Sequence, residues 1–235
     1  MWVRQVMDAT LPGVAMAAIL LLVPAGLLPG GTWLWPRGIA FVAVSGAIQL
    51  AGNSALAIWR PAHLRVRQQS VVAPKDRRQP WIDAVGSAAL LVFAAAWLAF
   101  VPLDVFRLRL LPPPGPLAAS VGGLAAIVGA ALTPLAVWEN RFATPNVQDQ
   151  TGQSQRVIDT GVYSVIRHPI YAGNLLLFSG ATLWLGSYAA LGGVSVLLVA
   201  TVGRIVIEEA HLRANLPGYA DYERRVRPRL IPFLI

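Results

Sequence analysis

The chain has 235 residues, of which 56% are hydrophobic and only 13% are charged, and its mean hydropathy is +0.58. A soluble domain carries about a quarter charged residues, so this composition excludes an ordinary soluble protein. The absence of cysteine excludes disulfides, thiolate metal sites and a cysteine nucleophile. The three histidines are scattered without a metal-ligand spacing, so we expect no metal site. Attraction to anionic headgroups explains the net charge of +8, and we expect no nucleic-acid partner.

Charged residues gather in blocks and leave long uncharged segments between them. Because a bilayer crossing needs about 20 apolar residues, each of the first four segments predicts one span. The fifth is long enough for two short or tilted helices with a turn near Gly186-Ser187. The fold class predicted is an all-α integral membrane protein with about six transmembrane helices, the last two forming a tight hairpin. The uncharged segments are 9–36, 38–59, 84–103, 110–138 and 170–203.

The chain divides into two regions by polarity. Residues 1–138 are predicted to form a four-helix transmembrane scaffold. Residues 139–235 hold the polar motifs and are predicted to form the cofactor-binding and catalytic region. This second region contains the helical hairpin 170–207 and a C-terminal cytoplasmic helix that begins near Tyr219. No metal, and no oligomeric state, is predicted for either region.

Basic residues set the predicted orientation. Apart from Arg37, Arg107 and Arg109, every Lys and Arg lies in a segment that is cytoplasmic if the N-terminus is cytoplasmic. Cytoplasmic loops of membrane proteins carry such an excess of basic residues. Both termini are therefore predicted to be cytoplasmic, in the plasma (inner) membrane if the protein is bacterial, with membrane lipids as partners.

Two features of the first region bear on packing and on binding. Small residues at helical spacing in the fourth span predict close helix packing in lipid; they are Gly122, Ala126, Gly129 and Ala130. The basic loop 60–83 opens with a segment, 61–70, that predicts a short amphipathic helix on the membrane surface with Leu64 and Val66 inward. Its basic residues either anchor the loop to headgroups or hold an anionic acceptor near a site.

The first polar cluster is Arg167-His168-Pro169, which follows the polar stretch 140–159. Pro169 suits the first turn of a helix, so a helix is predicted to begin there with Arg167 and His168 at its N-terminal end. Such an end attracts a carboxylate or another anion. Tyr171 follows one turn inward. Alternatively, Arg167 and His168 are interface anchors and Tyr171 is part of an aromatic belt.

The second polar cluster contains Arg204, Glu208 and Glu209. Arg204 and Glu208 are four residues apart and share one helix face. They form either an intrahelical ion pair or a site in which Glu208 faces a cationic or hydroxyl-bearing partner and Arg204 an anionic one. The basic residues that follow Tyr222, including Arg229, are expected to lie on lipid headgroups.

The order of these motifs carries a family resemblance. Gly161-Val162-Tyr163 precedes Arg-His-Pro-x-Tyr-x-Gly, a hydrophobic stretch, Arg-x3-Glu-Glu-x2-Leu, Pro-Gly-Tyr-x2-Tyr and Arg-Leu-Ile-Pro. The pattern resembles the isoprenylcysteine carboxyl methyltransferase family, which is related to the membrane phospholipid N-methyltransferases. The resemblance covers about residues 138–234, whereas residues 1–137 match only as generic membrane helices.

The resemblance implies that S-adenosylmethionine binds at the cytoplasmic face and that a lipophilic acceptor, a small molecule or a lipid-modified group, arrives from the bilayer. Arg204 would bind the acceptor, and Arg204 and Glu208 would be the catalytic pair. Gln155 stands where eukaryotic members have histidine, so contact there is expected through the backbone. The implied cofactor-binding residues are Gln148, Gln155, Arg156, Val157, Ile158, Tyr163, His168, Pro169, Ile170, Tyr171 and Glu208.

The predicted function is S-adenosylmethionine-dependent methyl transfer to a lipophilic or amphiphilic acceptor. Carboxylate O-methylation is favoured over N- or S-methylation, because a carboxylate is nucleophilic without a catalytic base. One alternative is an NADPH-dependent membrane reductase of the sterol or steroid type, in which Arg156 would meet the 2′-phosphate. The other alternative is a non-enzymatic membrane scaffold, for which the polar clusters would have no chemical role.

Overall fold

A computed structural model describes residues 2–27, 32–72, 81–143 and 155–232. Within these residues the regular structure is entirely helical. Short π-helical turns, Val23–Leu27 and Asp104–Leu108, follow the first and fourth α-helices. The α-helices are α1 (Trp2–Leu22), α2 (Pro36–Trp59), α3 (Pro61–Val72), α4 (Trp81–Leu103), α5 (Pro116–Glu139), α6 (Pro169–Leu185), α7 (Leu191–Asn215) and α8 (Tyr219–Arg225).

Proline and glycine set several helix boundaries. Pro36, Pro116 and Pro169 each occupy the first turn of a helix, where the missing N–H costs no hydrogen bond. Gly186 ends α6 with a φ of 103°, which only glycine adopts readily. The structure therefore confirms the helix start predicted at Pro169 and the break predicted near Gly186-Ser187.

Four helical segments in the described residues are long and apolar enough to cross a membrane. They are Gln5–Gly26, Pro36–Trp59, Pro116–Glu139 and Leu191–Asn215. The third predicted span corresponds to α4, but the side chains of residues 81–91 lie outside the described part. Helix α6 has 17 residues, fewer than the roughly 20 that a crossing needs. The all-helical class is confirmed and the four candidate spans support a membrane protein, whereas six spans and a membrane hairpin stay predictions.

The bundle has two chemically different ends. Trp59 and Trp138 contact each other with ring centroids 6.3 Å apart, so α2 and α5 end side by side. At the opposite end, Trp184 donates a hydrogen bond to the Arg37 carbonyl over 2.9 Å. We call the first the polar end, because α6 begins and the Arg204–Glu209 part of α7 lies there. The other, which holds Arg37 and the α6–α7 connection, is the turn end.

Helices α5 and α6 contact each other through glycine backbones. A Cβ added to Gly129 would lie 2.4 Å from the Leu177 nitrogen, and one added to Gly180 would lie 2.4 Å from the Ala126 nitrogen. Any side chain here would separate the helices, so the small-residue packing predicted for this span is confirmed. The predicted boundary after residue 138 falls at the C-terminal end of α5, and the two-region division stays a prediction.

The predicted amphipathic helix after the second span is α3. Leu64 is fully buried against α1, α2 and α5, and Val66 is half-buried, as the sequence predicts. His63 Nδ1 lies 2.9 Å from the Val137 carbonyl oxygen, which fixes α3 to the end of α5. Helix α3 therefore lies at the polar end.

The α5–α6 contact predicts a specific effect of one added methyl group. Gly180→Ala should lower the free energy of unfolding by about 1–3 kcal/mol, because the new Cβ meets backbone atoms that have no room to move. Thermal unfolding of the purified protein in detergent measures the change. Gly46→Ala is the matched control, since nothing lies within 4 Å of its added Cβ. Equal melting temperatures for the two variants would contradict the close contact.

Candidate functional site

A buried carboxylate, that of Glu209, lies at the centre of the polar end. Its side chain is 1% exposed, and its Oε1 lies 3.0 Å from Arg167 Nη2 and 3.1 Å from His168 Nε2. Its Oε2 lies 3.0 Å from Arg229 Nη2 and 3.4 Å from Arg213 Nη2. A buried charge is tolerated only when it is well paired. Glu209 therefore joins α7 to the segment before α6 and to the C-terminal segment.

Backbone hydrogen bonds reinforce this junction. The Arg167 and His168 amides donate to the carbonyls of Pro228 and Arg229, each over 3.0 Å. The Tyr222 hydroxyl donates to the Tyr163 carbonyl over 2.8 Å. Arg229, which the sequence suggests for headgroup binding, instead contacts Glu209. The C-terminal segment thus holds the segment that leads into α6.

The two predicted polar clusters meet at the Tyr171 hydroxyl. It donates to Glu208 Oε2 over 2.7 Å and accepts from Arg204 Nε over 3.0 Å. The His168 ring stacks on Tyr171, with centroids 5.6 Å apart and an interplanar angle of 27°. Arg204, Glu208 and Tyr171 are all half-buried, so a ligand can reach the group. We call Arg204, Tyr171 and Glu208 the hydroxyl relay.

Electrostatics keep the tyrosines around Glu209 neutral. Burial raises the pKa of Tyr219 and that of Tyr222 well above the ordinary value of 10.0. The buried Tyr219 hydroxyl has no hydrogen-bond partner within the described residues. Arg213 donates to Glu223 and lowers the pKa of that carboxyl below 4.5. Neutral Tyr219 and Tyr222 and an ionised Glu223 are therefore the expected states near pH 7.

The predicted cofactor residues in the irregular segment before α6 face two different surroundings. Arg156 and Ile158 line a cleft, whereas Val157 packs against the hydrophobic cluster that contains Tyr219 and Tyr222 of α8. Gln155 begins the segment and is half-buried. Gln148 lies outside the described residues.

The remaining predicted cofactor residues lie at the start of α6 or just before it. Pro169 is buried, and Ile170 packs on the hydrophobic cluster around Leu64 and Val137. Tyr163 is buried, and its backbone carbonyl accepts the Tyr222 hydrogen bond. These residues shape the polar end, whereas His168 and Tyr171 supply its polar side-chain groups.

The sequence predicted only part of the cleft beside Arg156, since Arg156 and Ile158 are the only predicted cofactor residues in its lining. It has a volume of about 550 Å³, within the usual range for small-molecule and cofactor sites. Arginines, a carboxylate and apolar groups share its wall, and Thr160 donates to Glu139 at its edge over 3.1 Å. Glu139 and Arg141 are charged residues directly after the fourth predicted span. That position was the sequence signal that could have assigned them to a site. The lining residues are Arg60, His63, Glu139, Arg141, Phe142, Arg156 and Ile158.

Together these features define a helical membrane protein with a polar site at one end of its bundle. The family model described as phospholipid methyltransferase matches residues 117–217. This part of the chain is therefore similar to that family, which is related to the isoprenylcysteine carboxyl methyltransferases. The match runs from α5 to the end of α7 and contains the glycine-packed helices and the hydroxyl relay. No curated protein matches the chain.

The family implies membrane methyltransferase activity. Its members typically use S-adenosylmethionine. The match confirms the predicted relation to membrane methyltransferases, whereas the isoprenylcysteine carboxyl methyltransferase family itself stays a prediction. The match begins about twenty residues earlier than the motifs do, since it includes α5. The structure explains this inclusion, because α5 supplies the surface on which α6 lies.

The contacts of Glu209 predict that it contributes more to the free energy of unfolding than Glu208 does. Glu209→Gln removes the charge that three arginines and a histidine share, and should lower the free energy of unfolding by about 3 kcal/mol. Glu208→Gln, the matched control, should change stability far less, because Glu208 is half-buried and its partner is a neutral hydroxyl. Thermal unfolding in detergent compares the stabilities of the two variants. A larger loss of stability in Glu208→Gln than in Glu209→Gln would refute the central role of Glu209.

Proposed function

We propose that this protein transfers a methyl group from S-adenosylmethionine to a lipophilic acceptor at the cytoplasmic face of the membrane. The observation that carries the proposal is the hydroxyl relay, which lies inside the phospholipid methyltransferase domain. The relay presents a cation, a phenol and a carboxylate at one half-buried point. A charged soluble cofactor and a membrane-embedded acceptor both have access to such a point.

The residues of the cleft fit the cofactor chemically. Arg156 and its neighbouring arginines suit the cofactor's carboxylate, since a guanidinium binds a carboxylate through two parallel N–H bonds. Glu139 suits an amino group or ribose hydroxyls, and Phe142 and Ile158 suit the adenine. When bound, S-adenosylmethionine supplies a methyl group activated on a sulfonium. Glu208 and the His168–Tyr171 stack are the proposed contacts beyond the cleft.

Within the relay, Arg204 is proposed to bind the anionic group of the acceptor. Tyr171 holds the Arg204 side chain in place through its hydroxyl, and Glu208 fixes that hydroxyl from the other side. Correct orientation of the acceptor can supply about 7–11 kcal/mol of the rate enhancement. The half-buried position also limits the access of water. Positioning, rather than proton transfer, is thus the proposed contribution of these residues.

A carboxylate is the proposed acceptor group. His168 is buried and bonded to Glu209, so it is poorly placed to take a proton from an acceptor. An amine or a thiol has to lose a proton during methylation, whereas a carboxylate does not. The family's description favours a second candidate, a phospholipid amine headgroup whose phosphate would contact Arg204. The two acceptors are distinguished by the products of the assay below.

Substitution of Arg204 tests acceptor binding. Arg204→Gln should raise the KM for the acceptor at least tenfold and leave the Kd for S-adenosylmethionine within twofold, because the lost group contacts the acceptor. Transfer of radiolabelled methyl groups to a membrane lipid extract, followed by separation of methyl esters from methylated amines, measures this and identifies the product. Arg65→Gln is the matched control, since Arg65 is exposed on α3 at the same end. Unchanged acceptor turnover in Arg204→Gln would refute the assignment.

Direct binding tests the cofactor and both alternatives. S-adenosylmethionine should bind the purified protein in detergent with micromolar affinity, and Arg156→Ala and Glu208→Ala should each weaken it at least tenfold, while Arg65→Ala should not. Isothermal titration calorimetry measures these affinities, with NADPH as a parallel ligand. Binding of NADPH alone would indicate a membrane reductase. Binding of neither ligand would indicate a non-enzymatic scaffold.

A further inference from the structure

A second cavity lies between α2 and α5, in the half of the bundle nearer the turn end. It is an open groove of about 470 Å³ with an almost wholly apolar wall. Both of its helices are candidate membrane spans, so the groove opens toward lipid. It is lined by Ala40, Phe41, Val44, Ser45, Ile48, Ser120, Gly123, Leu124, Ala126, Ile127, Ala130 and Trp184.

The groove has the length of a hydrocarbon chain in one leaflet. Its α5 wall runs from Ser120 to Ala130, which is about 15 Å at 1.5 Å per residue. Half of a bilayer's hydrocarbon core is also about 15 Å thick. From Ala130 the helix continues for more than two further turns to Glu139 at the polar end. The groove therefore belongs to the leaflet farther from the polar end.

A cation stands at the outer end of the groove. Arg37 precedes Ala40 and Phe41 by one turn of α2, so it continues the stripe of groove-lining residues. It is exposed, and its guanidinium carbon lies 5.9 Å from the centre of the Trp184 ring, which itself lines the groove. The Trp184 indole also donates to the Arg37 carbonyl. Aromatic and cationic groups are thus fixed together where lipid headgroups begin.

We infer that this groove binds one acyl chain of an anionic phospholipid, with its phosphate at Arg37. The charge is complementary, because a guanidinium binds a phosphate through two parallel hydrogen bonds. The groove also suits the acyl chain of the lipid, since its lining offers small and aliphatic side chains over the depth of one leaflet. The site is separate from the cleft and the hydroxyl relay, and it does not rest on the proposed methyl transfer.

Lipid binding to the full-length protein in detergent tests the inference. Dioleoyl phosphatidylglycerol should raise the melting temperature by several degrees more than dioleoyl phosphatidylcholine does. Arg37→Gln should abolish that difference, because it removes the cation that favours the anionic headgroup of phosphatidylglycerol over the zwitterionic headgroup of phosphatidylcholine. Arg107→Gln, which removes another exposed cation of the turn end, should preserve it.

A second variant tests the groove itself. Ser120 is exposed at its rim, so Ser120→Phe should fill the groove without altering the buried core. Native mass spectrometry should show one retained phosphatidylglycerol on the unaltered protein and on Arg107→Gln, and none on Ser120→Phe. Equal stabilisation by the two lipids, or retention of the lipid by both Ser120→Phe and Arg37→Gln, would overturn the inference.

Discussion

The ion cluster around Glu209 is the interaction on which the polar end depends. One buried carboxylate joins residues from three parts of the chain, namely α7, the segment before α6 and the C-terminal segment. Removal of a charge from water is costly, so the carboxylate is stable only when its cations approach closely. Their approach fixes His168, and through ring stacking His168 fixes Tyr171. The hydroxyl relay is therefore positioned by a cluster that needs no contact with substrate.

Adjacent glutamates on one helix consequently have different roles. Successive residues of an α-helix point about 100° apart, so Glu208 and Glu209 face different neighbours. Glu209 faces inward and is fully buried among cations, whereas Glu208 is half-buried and accepts from Tyr171. On the proposed function, a mutation at either position is expected to reduce activity, but for Glu209 the cause would be structural. Activity measurements need a parallel measurement of stability to separate the two.

Local rules made much of the fold predictable. Proline at the first turn gave the start of α6, and small residues at helical spacing gave a close-packed face on α5, because both depend on nearby sequence. The partner of that face, α6, was not predicted. The motifs also predicted that Tyr171, Arg204 and Glu208 share a site. Sequence did not reveal Glu209 as the centre of an ion cluster, or the cleft between Arg60 and Arg156. Those contacts join residues that are distant in the chain, and charge spacing carries no information about such pairing.

The packing of α6 limits how a lipophilic acceptor can reach the relay. Between α5 and α6 the backbones are in contact at Gly129 and Gly180, which leaves no passage for a hydrocarbon chain. Tyr171 and Arg204, in contrast, meet across α6 and α7, and the α7 surface near Arg204 carries the exposed apolar residues Val202 and Val206. On the proposed function, the acceptor therefore enters along α7. Rigid packing on one side of α6 and an accessible relay on the other give this helix both a structural and a functional face.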